Sequence, residues 1–420
     1  MPCPIAPVMA DAGAPAATAP PEDAAGYYAR LRRVLAGHSL PAMLIDLDRL
    51  DANADAMLTR AGRLPIRLGT KSIRCTAVLR HVLAHSPRFA GLLCYSAREA
   101  GWLADQGFDD LLVAYPTVDA GDLAAAAQAL RDGKQLTLMV DSAEQCTLIA
   151  AQARRNGVRY RVAIDLDMSS DVPGLWFGVR RSPVRDVTGA LALASAIRQQ
   201  GDALELVGLM GYEAQIAGLQ DRVPGAGLRN PVIRWLKTRS QREVHARRQA
   251  VVDALRAAGH TLPLVNGGGT GSLEATAADA SVTEAAAGSG LYSPGLFDYF
   301  SHFRHAPAAF FALPVVRRPG PGMVVCAGGG YVASGPAGRD RLPRPYMPEG
   351  LQLLDDEGAG EVQTPLRVPP GVDLALGEPV LFRHAKAGEL AERFEYALLF
   401  RGEQIVAQVP TYRGEMRSFF

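Results

Sequence analysis

Two stretches of the chain carry residue types suited to covalent chemistry on a phosphorylated aldehyde. Lys71 closes an extended segment, Arg67-Leu68-Gly69-Thr70-Lys71. Far downstream, Asn266-Gly267-Gly268-Gly269-Thr270-Gly271-Ser272 is followed by Gly288-Ser289-Gly290. A lysine whose stem is enclosed by apolar walls loses hydration of its ammonium form, and the neutral amine attacks an aldehyde to give a Schiff base. Glycines permit close backbone approach, so several N–H groups converge on one anion, and the hydroxyls of Thr270, Ser272 and Ser289 add donors. A strand-end lysine alone is commonly a surface charge, and a glycine loop alone is commonly a turn. Together, an amine and a phosphate cup describe pyridoxal phosphate. The residues expected to hold it are Lys71, Gly268, Gly269, Thr270, Gly271, Ser272, Gly288, Ser289 and Gly290.

Other polar residues fall at the ends of apolar runs. Tyr212, followed by Glu213, has a ring that can stack on or tune a cofactor, as do Tyr95 and Tyr115, although buried strand-end tyrosines often only pack. Asp165 and Asp167 alternate and so share one face of a strand. Near the end of the chain, Arg383-His384-Ala385-Lys386 and Glu389 group ionisable side chains. In an extended segment His384 and Lys386 share a face, where they supply an acid, a base or a fixed positive charge.

These residues need a frame, and the chain supplies a rhythm. Apolar segments ending near residues 68, 95, 115, 140, 166, 212, 265 and 287 alternate with helical stretches. Ser96 with Glu99 has capping-box spacing, and Asp141 with Glu144 marks another helix start. Eight alternations between about residues 65 and 290 match an α/β fold, a closed (β/α)8 barrel of TIM type, whose sites form at the carboxyl ends of the strands and whose phosphate loops often follow strands seven and eight. An open doubly wound sheet is the competing architecture. It needs a glycine fingerprint after its first strand, which Arg67–Lys71 is not. From residue 303 the sequence turns rich in Pro and Gly with short β-branched runs, as expected for a C-terminal mainly-β domain. The expected organisation is a disordered Ala/Pro-rich tail over residues 1–25, a barrel over 26–302 and a β domain over 303–420.

Composition narrows the partners. A formal net charge of +1 on 420 residues gives no electrostatic case for nucleic acid or an anionic membrane. The start lacks a signal-peptide pattern, and no apolar run is long enough to span a bilayer. Five scattered cysteines without a C-x-x-C pair suggest neither a disulfide framework nor a thiolate zinc site. A reduced, cytoplasmic setting fits.

The motifs resemble one family: the D-threonine aldolase, D-serine dehydratase and amino acid deaminase/aldolase group of fold type III pyridoxal-phosphate enzymes, related to alanine racemase. Pro41–Asp48 with Leu50 and Asn53 resembles its entry to the barrel. Arg67–Lys71 resembles its cofactor-lysine motif, and Gly268–Ser272 with Gly288-Ser289 its phosphate contacts. The resemblance runs over about residues 40–300. It implies that Arg67 belongs to the cofactor site and that a homodimer forms. It also implies a lyase acting on D-configured β-hydroxy amino acids, by retro-aldol cleavage or by dehydration and deamination, with His384 or a neighbour taking the hydroxyl proton in the first case. An amino acid racemase of the same fold, with Tyr331 or Tyr346 as its second base, and a non-catalytic cofactor carrier are the alternatives.

The departures from the family are specific. Gly69 and Ile73 stand where histidines often flank the lysine. Trp176-Phe177-Gly178-Val179 replaces a motif with arginine before Gly-Val, and arginines come only at Arg180 and Arg181. The family's divalent metal is held by His-x-Asp or His-x-Cys, and here the matching stretch is His384-Ala385-Lys386. An ammonium is repelled by a dication and has no lone pair to offer it. The expectation is therefore that Lys386 supplies, without a metal, the charge that polarises a substrate hydroxyl. The opposing expectation keeps a metal on His384, with Glu389 or water completing its shell.

Overall fold

The structure, a computed structural model, describes residues 23–172, 174–336 and 338–420. The expected tail lies outside the described residues up to position 22. Residues 24–25, expected in that tail, instead open helix Ala24–Val34, which the Asp23 carboxylate caps by accepting the Gly26 N–H at 2.7 Å.

Eight parallel strands close into a barrel: Ile66–Gly69, Phe89–Cys94, Leu111–Val113, Leu136–Val140, Tyr160–Asp165, Leu204–Gly211, Leu264–Gly267 and Glu284–Ala287. The ring closes where Ala285 pairs with Ile66 and Ala287 with Leu68. Leu112, Met139, Ala163, Met210 and Leu264 pack together as one buried cluster contributed by five of these strands. The intervening helices start on local signals in the sequence. Ser96 Oγ accepts the Glu99 N–H at 3.0 Å, and the Glu99 carboxylate reaches back to the Tyr95 N–H at 2.7 Å. At the helix expected to start near Asp141, the cap is Ser142, which accepts from Gln145 N. An antiparallel hairpin, Ser170–Val172 with Leu175–Phe177, stands between the fifth and sixth strands, where the sequence showed no element.

The second domain is a nine-stranded sheet, and it takes in the start of the chain. Strand Ala42–Asp46 runs antiparallel to Ala309–Gly320 and parallel to Tyr396–Arg401. Helix Ala24–Val34 covers the same sheet, with Tyr27, Leu31 and Val34 against Phe310, Leu381 and Phe400. Residues 26–46, expected in the barrel, thus join the sheet of the β domain, while Met43 and Ile45 also pack into the core shared with the barrel. All five residues of this strand are buried, and such a run carries no sign of which sheet it joins. Asp46 ends it, accepting from Tyr27 Oη at 3.0 Å and from Arg49 N at 3.1 Å, which starts helix Leu47–Arg60.

The two domains are stitched together around the barrel mouth. Gly295 N donates to His384 O at 3.0 Å and Leu296 N to Ala385 O at 3.1 Å. Tyr412 N donates to Arg74 O at 2.9 Å. Gly388 lies against the turn that carries Lys71, so close that a Cβ there would sit 1.8 Å from the Lys71 carbonyl oxygen. Among the described residues, no helix is long and apolar enough to cross a membrane.

Candidate active site

A cavity of about 680 Å³ opens where the barrel strands end, walled on one side by the second domain. Lys71 enters it from the turn Thr70–Ser72, directly after the first strand. Its amine is exposed to the cavity rather than enclosed, and it donates to Tyr115 Oη at 3.2 Å. Burial works to raise the Tyr115 pKa, but the charges of Lys71 and Arg181 outweigh it and hold the phenol below its usual value. Tyr212 also lines the cavity, and burial pushes its pKa up to about 12.

The glycine loops meet at the wall of this same cavity. Gly268, Gly269, Thr270, Gly288 and Ser289 line it. Ser289 Oγ lies 2.8 Å from Ser72 Oγ, beside the lysine turn. A Cβ on Gly269 would meet Ala217 Cβ at 2.7 Å, and one on Gly288 would meet Gly69 O at 2.7 Å, so this wall is bare backbone. Gly271, Ser272 and Gly290 stand behind it instead. The Gly290 N–H donates to Thr270 Oγ1 at 2.9 Å and the Ser272 N–H to Gly269 O at 3.0 Å, so both serve the loop's own shape. Bare backbone and hydroxyls at one wall, with an amine and two phenols nearby, fit a phosphorylated aromatic aldehyde.

Arg67 lies elsewhere. It is buried beneath the cavity, with its guanidinium on the Glu284 carboxylate at 2.6 and 2.9 Å and on Asp110 at 3.0 and 3.1 Å. Asn266, which lines the cavity, donates to Glu284 Oε1 at 2.7 Å, so Arg67 reaches the site only through that pair. A second buried network shapes the glycine loop. Glu213 accepts from Gly268 N at 2.9 Å and from Thr276 Oγ1 at 2.6 Å, and Arg248, fully buried, bridges Glu213 to Asp279. Arg248 was not legible in advance, because it sits on helix Arg229–Ala257 among many arginines that have no such role.

Arg181 does line the cavity, carried there beyond the hairpin, with its guanidinium carbon 5.8 Å from the Tyr115 ring centre. It puts a guanidinium in the site although no arginine precedes Gly178-Val179. Asp165 and Asp167 both line the cavity as well. Burial, then the neighbouring charge of Asp141, pushes the Asp165 pKa up to about 7, with Arg181 opposing. A carboxyl that holds its proton more tightly when folded than its ordinary value of 3.8 favours the fold fully below about pH 4 and loses that contribution as pH rises to 7. Asp165→Asn is therefore expected to melt a few degrees above the wild type at pH 8 and level with it near pH 4. Melting curves across that range check this, and an unchanged difference at the two ends would discard the assignment.

His384 and Lys386 do not share the main cavity. The strand ends at Arg383, so the extended segment that would align them is absent. Lys386 and Glu389 line both the main cavity and an adjoining one of about 220 Å³, whereas His384 lines only the smaller. Neither ring nitrogen of His384 has a hydrogen-bond partner among the described residues. Burial, and after it the Arg383 charge, pushes its pKa down to about 3, leaving the ring neutral. Lys386 Nζ donates to Ser334 Oγ at 3.1 Å, and Ser334 donates through Oγ and N to Glu389 at 2.6 and 2.7 Å. The residues present do not fit a metal. Among the described residues no three His, Cys, Asp or Glu side chains converge, and the one carboxylate expected to help His384 is engaged with Ser334. Tyr331 and Tyr346 do not line the main cavity. Tyr331 faces the smaller one, and Tyr346 accepts from Arg49 at 2.9 Å.

Known proteins are similar to this chain in sequence and in fold. The family model for the alanine racemase N-terminal domain matches residues 45–294. The chain is 28% identical over 307 residues to a D-threonine aldolase of Arthrobacter sp., covering 70% of this chain and 73% of that protein. It is 29% identical over 253 residues to a D-threo-3-hydroxyaspartate dehydratase of Delftia sp. (strain HT23), covering 59% and 60%. The solved structure of a D-threonine aldolase from Filomicrobium marinum superposes with a TM-score of 0.74 at 22% identity, over 90% of this chain and 95% of that one, a likeness of fold. With more than half its length matched by the family model, the chain belongs to the alanine racemase N-terminal domain family.

Proposed function

We propose that the chain is a pyridoxal-phosphate-dependent lyase acting on D-configured β-hydroxy amino acids. The observation that carries this reading is the meeting of the Lys71 amine with the Gly268–Thr270 and Gly288-Ser289 wall in one cavity. The similarity to an aldolase and a dehydratase whose names specify D-threonine and D-threo-3-hydroxyaspartate supports the substrate class. Lys71 would anchor the cofactor, the backbone of the two loops with Ser72 and Ser289 would take its phosphate, and Tyr212 would pack beside its ring. When bound, the cofactor supplies an electron sink that lets a bond at the amino acid Cα break.

The chain's own residues do the rest. Lys71, once free of the aldehyde, is the amine placed to exchange a proton at Cα. Tyr115 holds that amine through its hydroxyl, and the charges of Lys71 and Arg181 keep the phenol below its usual pKa. Arg181 offers a guanidinium to the substrate carboxylate. Ser334, Lys386 and Glu389 bring the second domain into the cavity wall, which a carrier made of the barrel alone would lack. A racemase needs a base on each face of the substrate, and neither tyrosine of the second domain considered for that role lines the cavity.

Purified protein is expected to be yellow, to sediment as the homodimer implied by the family resemblance, and to consume D-threonine or D-serine while leaving their L-enantiomers untouched. Incubation with D-alanine is expected to yield no L-alanine. Steady formation of L-alanine would replace the lyase reading with the racemase, and silence across a broad D-amino acid panel would favour the carrier.

A further inference from the structure

Among the described residues, the second domain lines the cavity with one cation, Lys386, and its hydrogen bonds orient it. Ser334 has a single hydroxyl proton, which goes to Glu389 Oε1 at 2.6 Å, while the Ser334 N–H occupies Oε2 at 2.7 Å. Ser334 Oγ is thereby left as an acceptor towards Lys386 Nζ at 3.1 Å. The chain of bonds runs from the Lys386 N–H to hydroxyl to carboxylate; burial lowers the Lys386 pKa, and the Glu389 charge opposes this and favours the ammonium, the form that can give up a proton. One of its three N–H bonds is used, and the others remain for the cavity. His384, the alternative acid or base on this segment, lies outside that cavity.

We propose that Lys386 is the proton donor to a departing β-hydroxyl, that Ser334 and Glu389 are its positioning residues, and that the chain is accordingly a metal-independent dehydratase of β-hydroxy amino acids rather than an aldolase. This rests on the cofactor and substrate class proposed above. Retro-aldol cleavage needs a base that removes the hydroxyl proton, whereas elimination needs an acid that delivers one. The α-proton passes to Lys71. The Cβ–O bond breaks with its electron pair on oxygen, which takes a proton from Lys386 and leaves as water. Lys386 is reprotonated from solvent, and Lys71 gives its proton up. The released 2-amino-2-enoate tautomerises to an imine and adds one water, giving a 2-oxo acid and ammonia. One water is lost and one gained, and no oxidant or reductant takes part.

The test compares wild-type holoenzyme with Lys386→Gln and Glu389→Gln on two substrates, D-serine and 3-chloro-D-alanine. Chloride leaves without a proton, so it does not need the donor. Lys386→Gln is expected to lower kcat on D-serine by roughly 100-fold or more, as for loss of a general acid, and on 3-chloro-D-alanine by less than about 5-fold. Glu389→Gln is expected to shift the same ratio in the same direction by a smaller factor. D-threonine is expected to give 2-oxobutanoate and ammonia, not glycine and acetaldehyde. Calorimetric titration of chelator-treated holoenzyme with zinc or manganese is expected to show no stoichiometric binding. Equal losses on the two substrates, glycine from D-threonine, or a stoichiometric dication that restores a rate lost on chelation would each overturn the proposal. The visible band, recorded for every variant, separates the cases. Protein that lacks it in the wild type fails the cofactor reading, and protein that keeps it with the wrong products fails this one.

Discussion

Lys71→Ala is expected to abolish the visible absorption of the purified protein and to lower turnover by about three orders of magnitude or more, since anchor and Cα proton carrier are lost together. Its side chain is exposed to the cavity, and its polar contact is the Tyr115 hydroxyl. The change should therefore leave the melting temperature within a degree or two of that of the cofactor-free wild type. That separation of effects makes the variant informative. Borohydride treatment of the wild type should bleach the band and leave a stable adduct on the peptide containing Lys71. A variant that keeps its colour, or an adduct mapped to Lys386, would move the anchor elsewhere.

The second large effect is one of stability. Arg248 has no exposed surface and sits between Glu213 and Asp279, themselves almost fully buried. Replacing it with methionine removes one charge and strands two others in the interior, a change that typically costs about 3–5 kcal/mol. The loss should reach the cofactor too, because Glu213 holds the Gly268 N–H and Thr276 hydroxyl that set the glycine loop. Arg248→Met is therefore expected to unfold at distinctly lower temperature and denaturant, and to retain bound pyridoxal phosphate less well on dialysis. A variant as stable as the wild type would mean that the two carboxylates find other partners, and the network would lose its standing as the loop's foundation.

Much of the barrel was legible because its strands are short, apolar and separated by helix-start signals such as Ser96 with Glu99, so pattern and fold agree. Lys71 and the loops at Gly268 and Gly288 were legible for a related reason. The barrel brings the ends of its first, seventh and eighth strands together, whatever their distance in sequence. What stayed hidden depends on contacts that no local pattern encodes. Strand Ala42–Asp46 reads the same whichever sheet it enters. Arg67 has the spacing of a site residue, yet Glu284 and Asp110 claim it. His384 is kept out of the main cavity that Lys386 lines because the strand stops one residue before it, and a short hairpin, signalled in the sequence only by Pro173-Gly174, leads on to Arg181. Arg248 is one of several arginines on a long polar helix, singled out only by its burial.

Gly388 has a consequence for how the molecule admits its substrate. At that position the backbone of the second domain rests on the backbone of the lysine turn, too close for any side chain to stand between them. The joint between the domains and the seat of the reactive amine are thus one piece of masonry. A swinging motion of the second domain, of the kind by which many two-domain proteins open, would pull away the stone on which Lys71 rests. Substrate is therefore expected to enter with both domains in place. A chimera that takes its second domain from a relative would keep the amine in position only if the donor also brings a residue without a side chain to this contact.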